Sequence, residues 1–405
     1  MRNPSVFYFN PTCELAVANG SFSYNPPRLL QKFEDDCSII PFVFGASGDY
    51  VLTKNSPSTD FILKMTDLGF ELPQFCTLHE LIEKQTEAFE SLCPWGWSPA
   101  AHFYLKDLKP RCIPEFQESP VYQWTNDHLL LYERITSLNF LKDFLDKNNS
   151  PDFLIEPENI GQKVSCISEI EALLSTKHQL VLKAPLSSSG RGIQIIWKSK
   201  LNESNKQWIS GVLNQQNYLI AEPFLEKVTD FSFQFRIDNE KIEYLGHTVF
   251  ETNSNGQYKC TLVHPELKSL FCPKTEELIN ISASLIGQSL KDSGYARFHR
   301  GFLGIDAMIF QEDGKQKIQP CIEINSRMNM GILTKQLERF VHKHSSGKFE
   351  LFYGQAGDYK KFVKEKSTNH HLKTENGKLS AGFLSLTEPT EKTQFGAYLE
   401  IGTDK

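Results

Sequence analysis

Two acids, an amide and an arginine late in the chain have the types and spacing of a metal–phosphate centre. Asp306 lies in the run Gly304-Ile305-Asp306-Ala307-Met308-Ile309-Phe310. Glu323, Asn325 and Arg327 lie in Cys321-Ile322-Glu323-Ile324-Asn325-Ser326-Arg327. Carboxylate and amide oxygens are hard donors that hold Mg²⁺ well when substrate phosphates complete its shell. Side chains alternate along a strand, so 323, 325 and 327 share a face and set a cation beside the oxygen ligands. An anionic substrate or a developing negative charge would need that cation.

A second set lies upstream. Lys183 ends the apolar run Leu180-Val181-Leu182-Lys183-Ala184, and Pro185-Leu186-Ser187-Ser188-Ser189-Gly190-Arg191-Gly192 follows. Small residues let backbone N–H groups approach phosphate oxygens, and serine hydroxyls add donors. No Gly-Lys-Ser/Thr follows, and the next run, Ile193-Gln194-Ile195-Ile196-Trp197, reads as a return strand, so this is not a Walker loop. Taken alone, an ordinary Ser/Gly hairpin fits these residues as well as a phosphate cradle does. A third set, Tyr218-Leu219-Ile220-Ala221-Glu222-Pro223-Phe224-Leu225, reads as a strand that meets a proline break. The alternating strand Asp230-Phe231-Ser232-Phe233-Gln234-Phe235-Arg236 comes next. Backbone groups at such a break can read the edge of an adenine, and Glu226 or Asp230 could accept from ribose hydroxyls.

Strands must therefore position the site. Residues 304–310 and 321–327 predict neighbouring strands, the first ending in a turn at Glu312-Asp313-Gly314. A strand is expected over 6–10, another over 37–44, and a helical period over 78–92. Apolar residues at 131, 135, 138, 141 and 145 predict an amphipathic helix over 129–145, and 169–175 a short one. The tail predicts two strands, 379–386 and 395–401, joined by a polar loop.

The order of these pieces, a Lys strand, a Ser/Gly loop, Glu-Pro-Phe-Leu, an Asp strand and Glu-x-Asn-x-Arg, resembles the ATP-grasp superfamily of carboxylate–amine and carboxylate–thiol ligases. The resemblance covers roughly residues 125–335. It implies an α/β (α+β) fold: two α+β subdomains at 126–215 and 216–342, a smaller α/β pre-ATP-grasp domain at 1–125, and a C-terminal β-hairpin extension at 343–405. It implies ATP and Mg²⁺ as cofactors, with Mn²⁺ as a substitute, and metal ligation by Asp306, Glu323 and Asn325. It further implies nucleotide contacts from Lys183, from Ser187, Ser188, Ser189, Gly190, Arg191 and Gly192, from Glu222, Pro223, Phe224 and Leu225, and from Asp230. Members usually carry an early basic residue in an Asp-Lys pair. Here Glu133-Arg134 stands in that place, which makes Arg134 the candidate and departs from the pattern. Arg327 and Arg300 are the candidate catalytic cations.

The implied reaction joins a carboxylate to an amine through an acyl phosphate, releasing ADP and phosphate. A small-molecule kinase and a non-catalytic nucleotide-binding module are the alternatives. The partners expected are a small carboxylate and an amine; the resemblance also admits a homodimer. Composition fits this picture. A formal net charge of −6 argues against a broad basic surface for nucleic acid. No apolar run approaches the ~20 residues that span a bilayer. Nine cysteines without a Cys-x-x-Cys suggest neither a disulfide framework nor a zinc knuckle. The start, Met1-Arg2-Asn3-Pro4-Ser5-Val6, lacks the apolar segment of a secretory signal, so a cytoplasmic setting is expected.

Several features carry an ordinary reading beside a functional one. Glu14, in Asn10-Pro11-Thr12-Cys13-Glu14, could touch a substrate amine, but an exposed acid in a turn is the commoner case. Cys13 lacks a recognisable partner for nucleophilic work. Trp95 and Trp97 serve packing at least as readily as a pocket wall, and His370-His371 reads as a solvated pair. Arg300 and His299 lead into the Asp306 strand, and function is favoured narrowly for Arg300.

Overall fold

The computed structural model describes residues 2–84, 88–187, 192–198, 200–239, 241–253, 256–265 and 273–402. The chain forms two compact units. One comprises 1–124, 259–266 and 327–405, and the other 125–258 and 267–326.

The first unit opens with parallel strands β1 (Ser5–Tyr8), β2 (Tyr50–Leu52), β3 (Gln74–Cys76) and β4 (Ser91–Pro94), in spatial order β3-β2-β1-β4. Such short central strands are buried on both faces and read as apolar runs, here Val6, Val51 and Leu92. Two corrections follow from this sheet. The expected strand at 37–44 is a 3-10 turn, Ile40–Val43. Pro41 has no N–H for a ladder, and a short apolar run cannot by itself distinguish strand from buried helix. The helical period expected over 78–92 ends early, as helix Leu78–Glu83, started by a Thr77/Glu80 capping box. Residues 91–94 are β4, the neighbour of β1.

The second unit holds a small sheet, β5 (Gln162–Val164), β6 (Leu180–Lys183), β7 (Ile193–Ile196) and β8 (Leu219–Pro223), in order β5-β8-β6-β7. Leu180, Leu182, Ile196, Leu219 and Ala221 face helices Ile167–Lys177 and Glu203–Gln216 and form a core with Ile170, Leu174 and Ile209. The alternate residues, Val181, Lys183, Ile193, Ile220 and Glu222, therefore share the opposite face.

The long strands are β9 (Glu226–Asp238), β10 (Lys241–Thr252), β11 (Tyr258–Val263), β12 (Gly301–Glu312) and β13 (Lys315–Asn325). Within the second unit they run β13-β12-β9-β10, all antiparallel. Odd-numbered residues of β9 and β12, such as Phe231, Phe233, Phe235, Leu303, Ile305 and Ala307, are completely buried. Helix Arg134–Lys147 packs along β13, and helix Pro273–Lys291 along β10. The expected 129–145 helix is two helices, Asn126–Leu130 and Arg134–Lys147.

The tail adds β14 (Gly347–Tyr353), β15 (Lys373–Glu375), β16 (Lys378–Ser385) and β17 (Phe395–Ile401) to the first unit, with β11 paired to β14. Strands β16 and β17 are antiparallel, as expected of the hairpin. Helix Asp358–Asn369, which the sequence reading did not anticipate, lays Tyr359 and Val363 on Phe383 and Tyr398. No helix among the described residues is long and apolar enough to cross a membrane.

Candidate active site

The site is built on the even-numbered face of the long sheet. Asp306 stands directly opposite Glu323 across the β12–β13 ladder, and Asn325 stands opposite Gly304. Residues that face each other across a ladder share a side of the sheet, so Asp306, Glu323 and Asn325 project together. On β9, Ser232 faces Asp306 and Gln234 faces Gly304, while Thr248 of β10 faces Ser232. Gln234 donates to Ser232 Oγ and to Thr248 Oγ1, both at 3.1 Å. Sequence reading missed this polar row, although the even positions of Phe231-Ser232-Phe233-Gln234-Phe235 display it. The ladder shifts register between Asp306 and Met308. Pro320 falls in the shifted stretch and can donate no ladder hydrogen bond. Bulged strands of this kind re-aim side chains beside functional sites.

Like charges directly opposite on neighbouring strands destabilise a sheet unless something compensates. Here Asn325 Nδ2 donates to Asp306 Oδ2 at 3.0 Å, and Arg134 Nη2 donates to Glu323 Oε2 at 3.1 Å. Among the described residues no three His, Cys, Asp or Glu side chains converge on a metal position. The donor set here is two carboxylates and an amide, which suits Mg²⁺ completed by phosphate oxygens better than a fully protein-held ion. The opposed carboxylates, needing positive charge between them, fit such a cation.

Lys183 ends β6, buried, and its ammonium meets Glu222 Oε2 at 2.6 Å. The cross-strand register explains this: Val181 faces Glu222 and Lys183 faces Ile220, so both charged side chains lie on the face away from the helices. Glu222 is thus engaged with the lysine. Gly161 leaves space there, since a Cβ at that position would lie 2.7 Å from Glu222 Cγ. Pro223 ends β8, and Phe224 and Leu225 follow it before β9 begins. Phe224 N donates to Gln179 O at 3.2 Å, and its ring lies 4.8 Å from that of Trp197.

The loop after β6 has a tight neck. Ala184 N donates to Gly192 O at 2.8 Å, and a Cβ on Gly192 would lie 2.4 Å from Ser187 Cβ. Ser188, Ser189, Gly190 and Arg191 lie outside the described residues. Arg134 sits beneath the neck, donating to Ala184 O and Ser187 Oγ at 2.6 Å each. It thus meets the loop neck after β6 and Glu323 together.

Asp230 Oδ2 accepts from Thr252 Oγ1 at 2.8 Å and pairs with Lys227. Arg300 Nε donates to Asp238 Oδ1 at 2.9 Å, about 20 Å along the strand from Asp306 at the usual rise per residue. Burial holds the His299 imidazole down at about 4, and its Nε2 lies 2.9 Å from Phe302 O. In the first unit, Arg327 Nε donates to Glu14 Oε1 at 2.9 Å. Glu14 is therefore a buried ion-pair partner, where the sequence suggested an exposed turn acid. Asn10 Nδ2 donates to Gly96 O at 2.8 Å, and a Cβ on Gly96 would lie 2.4 Å from Cys13 Sγ and 3.2 Å from Arg327 Cβ. Burial pushes the Cys13 thiol up to about 12, which leaves it protonated and unsuited to nucleophilic attack at neutral pH.

No protein-family model matches the chain, and no curated protein matches it. Solved structures match over nearly the whole of this chain. One is N5-carboxyaminoimidazole synthetase from Staphylococcus aureus complexed with ADP: 15% identity, 100% of this chain and 95% of that one, TM-score 0.51. The biotin carboxylase domain of the Hydrogenobacter thermophilus 2-oxoglutarate carboxylase, in complex with MgADP, ADP and bicarbonate, shares 13% identity over 99% of this chain and 86% of its own, with TM-score 0.52. Biotin carboxylase from Campylobacter jejuni shares 10% identity over 99% and 88%, with TM-score 0.53. With a parallel-sheet pre-ATP-grasp domain ahead of the antiparallel strands that carry Asp306 and Glu323, this chain has the ATP-grasp fold.

Proposed function

We propose that this protein is an ATP-dependent ligase that joins a carboxylate to an amine through an acyl phosphate. The observation that carries the reading is the pairing of Asp306 with Glu323 in register, with Asn325 on the same face, while Arg134 links Glu323 to the loop that follows Lys183. The neighbours crystallised with ADP or MgADP support a nucleotide in this fold.

In this reading Lys183 and the backbone donors around Ser187 and Gly192 take the nucleotide phosphates. Asp306, Glu323 and Asn325 would hold Mg²⁺, which supplies Lewis-acid neutralisation of phosphate charge. Residues 222–225 hold the base at the break between β8 and β9. The substrate carboxylate oxygen bonds to the γ-phosphorus as the bond to the ADP oxygen breaks, giving acyl phosphate and ADP. The amine then adds to the acyl carbon, and phosphate leaves with the bonding electron pair while the amine loses its proton. The protein's work is mostly positioning and electrostatics. Arg327 is assigned to the anionic substrate or the tetrahedral oxyanion, with Glu14 fixing its guanidinium. Arg300 is not assigned this role, because Asp238 holds it well along the strand from Asp306.

The test is turnover of MgATP against pooled small carboxylates and amines, following ADP, phosphate and product mass. ADP and phosphate released with a condensed product support the ligase. ADP with a stable phosphorylated product would make the protein a kinase instead. Asp306→Asn should lower the rate at least about 100-fold, the usual scale for losing one electrostatic group at the reacting centre.

A further inference from the structure

Arg134 does more than stand in for a nucleotide-binding lysine. Its side chain is only 4% exposed, and it opens helix Arg134–Lys147, with its backbone N donating to Pro185 O at 3.0 Å. Nη1 reaches Ala184 O and Ser187 Oγ on the loop neck, and Nη2 reaches Glu323 on β13. Nε is buried without a hydrogen-bond partner among the described residues. The guanidinium is therefore oriented by the two ends of its fork. Ser187 and Glu323 are joined through this one rigid group.

We infer that Arg134 is a positioning residue that couples the neck of the phosphate loop to the metal carboxylate Glu323. The inference rests on reading this site as the nucleotide site. A planar guanidinium cannot move toward one end of its fork without changing its bonds at the other, and a lysine ammonium has no fork. Anything that draws Glu323 away, such as a cation, alters the donors holding Ser187. Phosphate at the neck alters Glu323 in turn, because coupling between sites is reciprocal. Plain structural support would make the two ends independent.

The experiment is calorimetric ADP binding to the full chain, in EDTA and in Mg²⁺, for Ser187→Ala, Glu323→Gln and the double variant. The same set is made with Arg134→Lys, and with Arg134→Gln should the lysine form fail to fold. With Arg134 present, the double variant's loss of affinity in EDTA should differ from the product of the single losses by about five- to tenfold, as for residues sharing one network. With Arg134→Lys that factor should fall to within about twofold of unity. EDTA removes a cation as the carrier of the coupling. Multiplicative losses with Arg134 present, or a non-multiplicative factor that survives its replacement, would overturn the inference while leaving the nucleotide site intact. Absence of ADP binding to the unaltered protein would overturn the nucleotide reading, and this inference with it.

Discussion

Lys183 shows how much of the site rests on single charges. It is buried, and Glu222 neutralises it at 2.6 Å. In the proposed function, removing the lysine costs twice: a charge-assisted contact to the nucleotide, and a carboxylate left without its partner. Lys183→Met should therefore weaken ADP binding about 10- to 100-fold, the range for hydrogen bonds to charged groups, and lower the melting temperature as well. Lys183→Met/Glu222→Gln should recover most of the stability and none of the affinity. Calorimetry and thermal melting together read this split. The lysine itself stands out in the sequence, as a lone cation at the end of an apolar strand. Its partner was not legible, because the Lys183–Glu222 contact is set by register between strands far apart in sequence. The same holds for Glu14 and Arg327, whose pairing no local pattern announces.

Among the elements, strand alternation was the most readable feature. The runs around Asp306, Glu323 and Phe231–Phe235 announce one apolar and one polar face, and the structure has both. The β12–β13 turn was readable too, because Asp313 at φ 48° and Gly314 at φ 74° occupy the left-handed region that Asp and Gly tolerate best. Short apolar runs were not readable: residues 37–44 curl into a 3-10 turn against the parallel sheet, a tertiary choice that composition leaves open. The loop neck yields a prediction at this scale. Gly192→Ala puts a Cβ 2.4 Å from Ser187 Cβ and its hydroxyl, so the backbone of the neck must shift and Ser187 surrender its bond to Arg134. ADP affinity should fall about tenfold, the loss of one charged hydrogen bond, and the melting temperature should fall as well. An unchanged ADP affinity would show that the neck plays no part in binding.

At the scale of the molecule, the sequence showed the order of the pieces but not which pieces combine. The tail joins the amino-terminal residues in one unit through contacts such as Asp36 accepting from the backbone N–H of Gln394 and Phe395. Contacts between residues so distant in sequence leave no periodic trace. Two buried groups, one in each unit, also respond to pH in opposite senses. In the first, burial raises the Glu34 carboxyl from about 4.5 to about 7. Its contribution to stability is complete below pH 4.5 and lost as pH rises through 7. In the second, burial lowers His299 from 6.5 to about 4, so its contribution is complete above pH 6.5 and lost as pH falls through 4. Each is worth at most about 3 kcal/mol by linkage. Glu34→Gln should flatten the loss of thermal stability between pH 4.5 and 7, and leave the acid limb unchanged. The central claim concerns chemistry, and isotope transfer tests it most directly. With the acceptor carboxylate labelled in both oxygens with ¹⁸O, turnover with MgATP and the amine should move one labelled oxygen into inorganic phosphate for each bond formed. Condensed product accompanied by unlabelled phosphate would contradict the acyl-phosphate account.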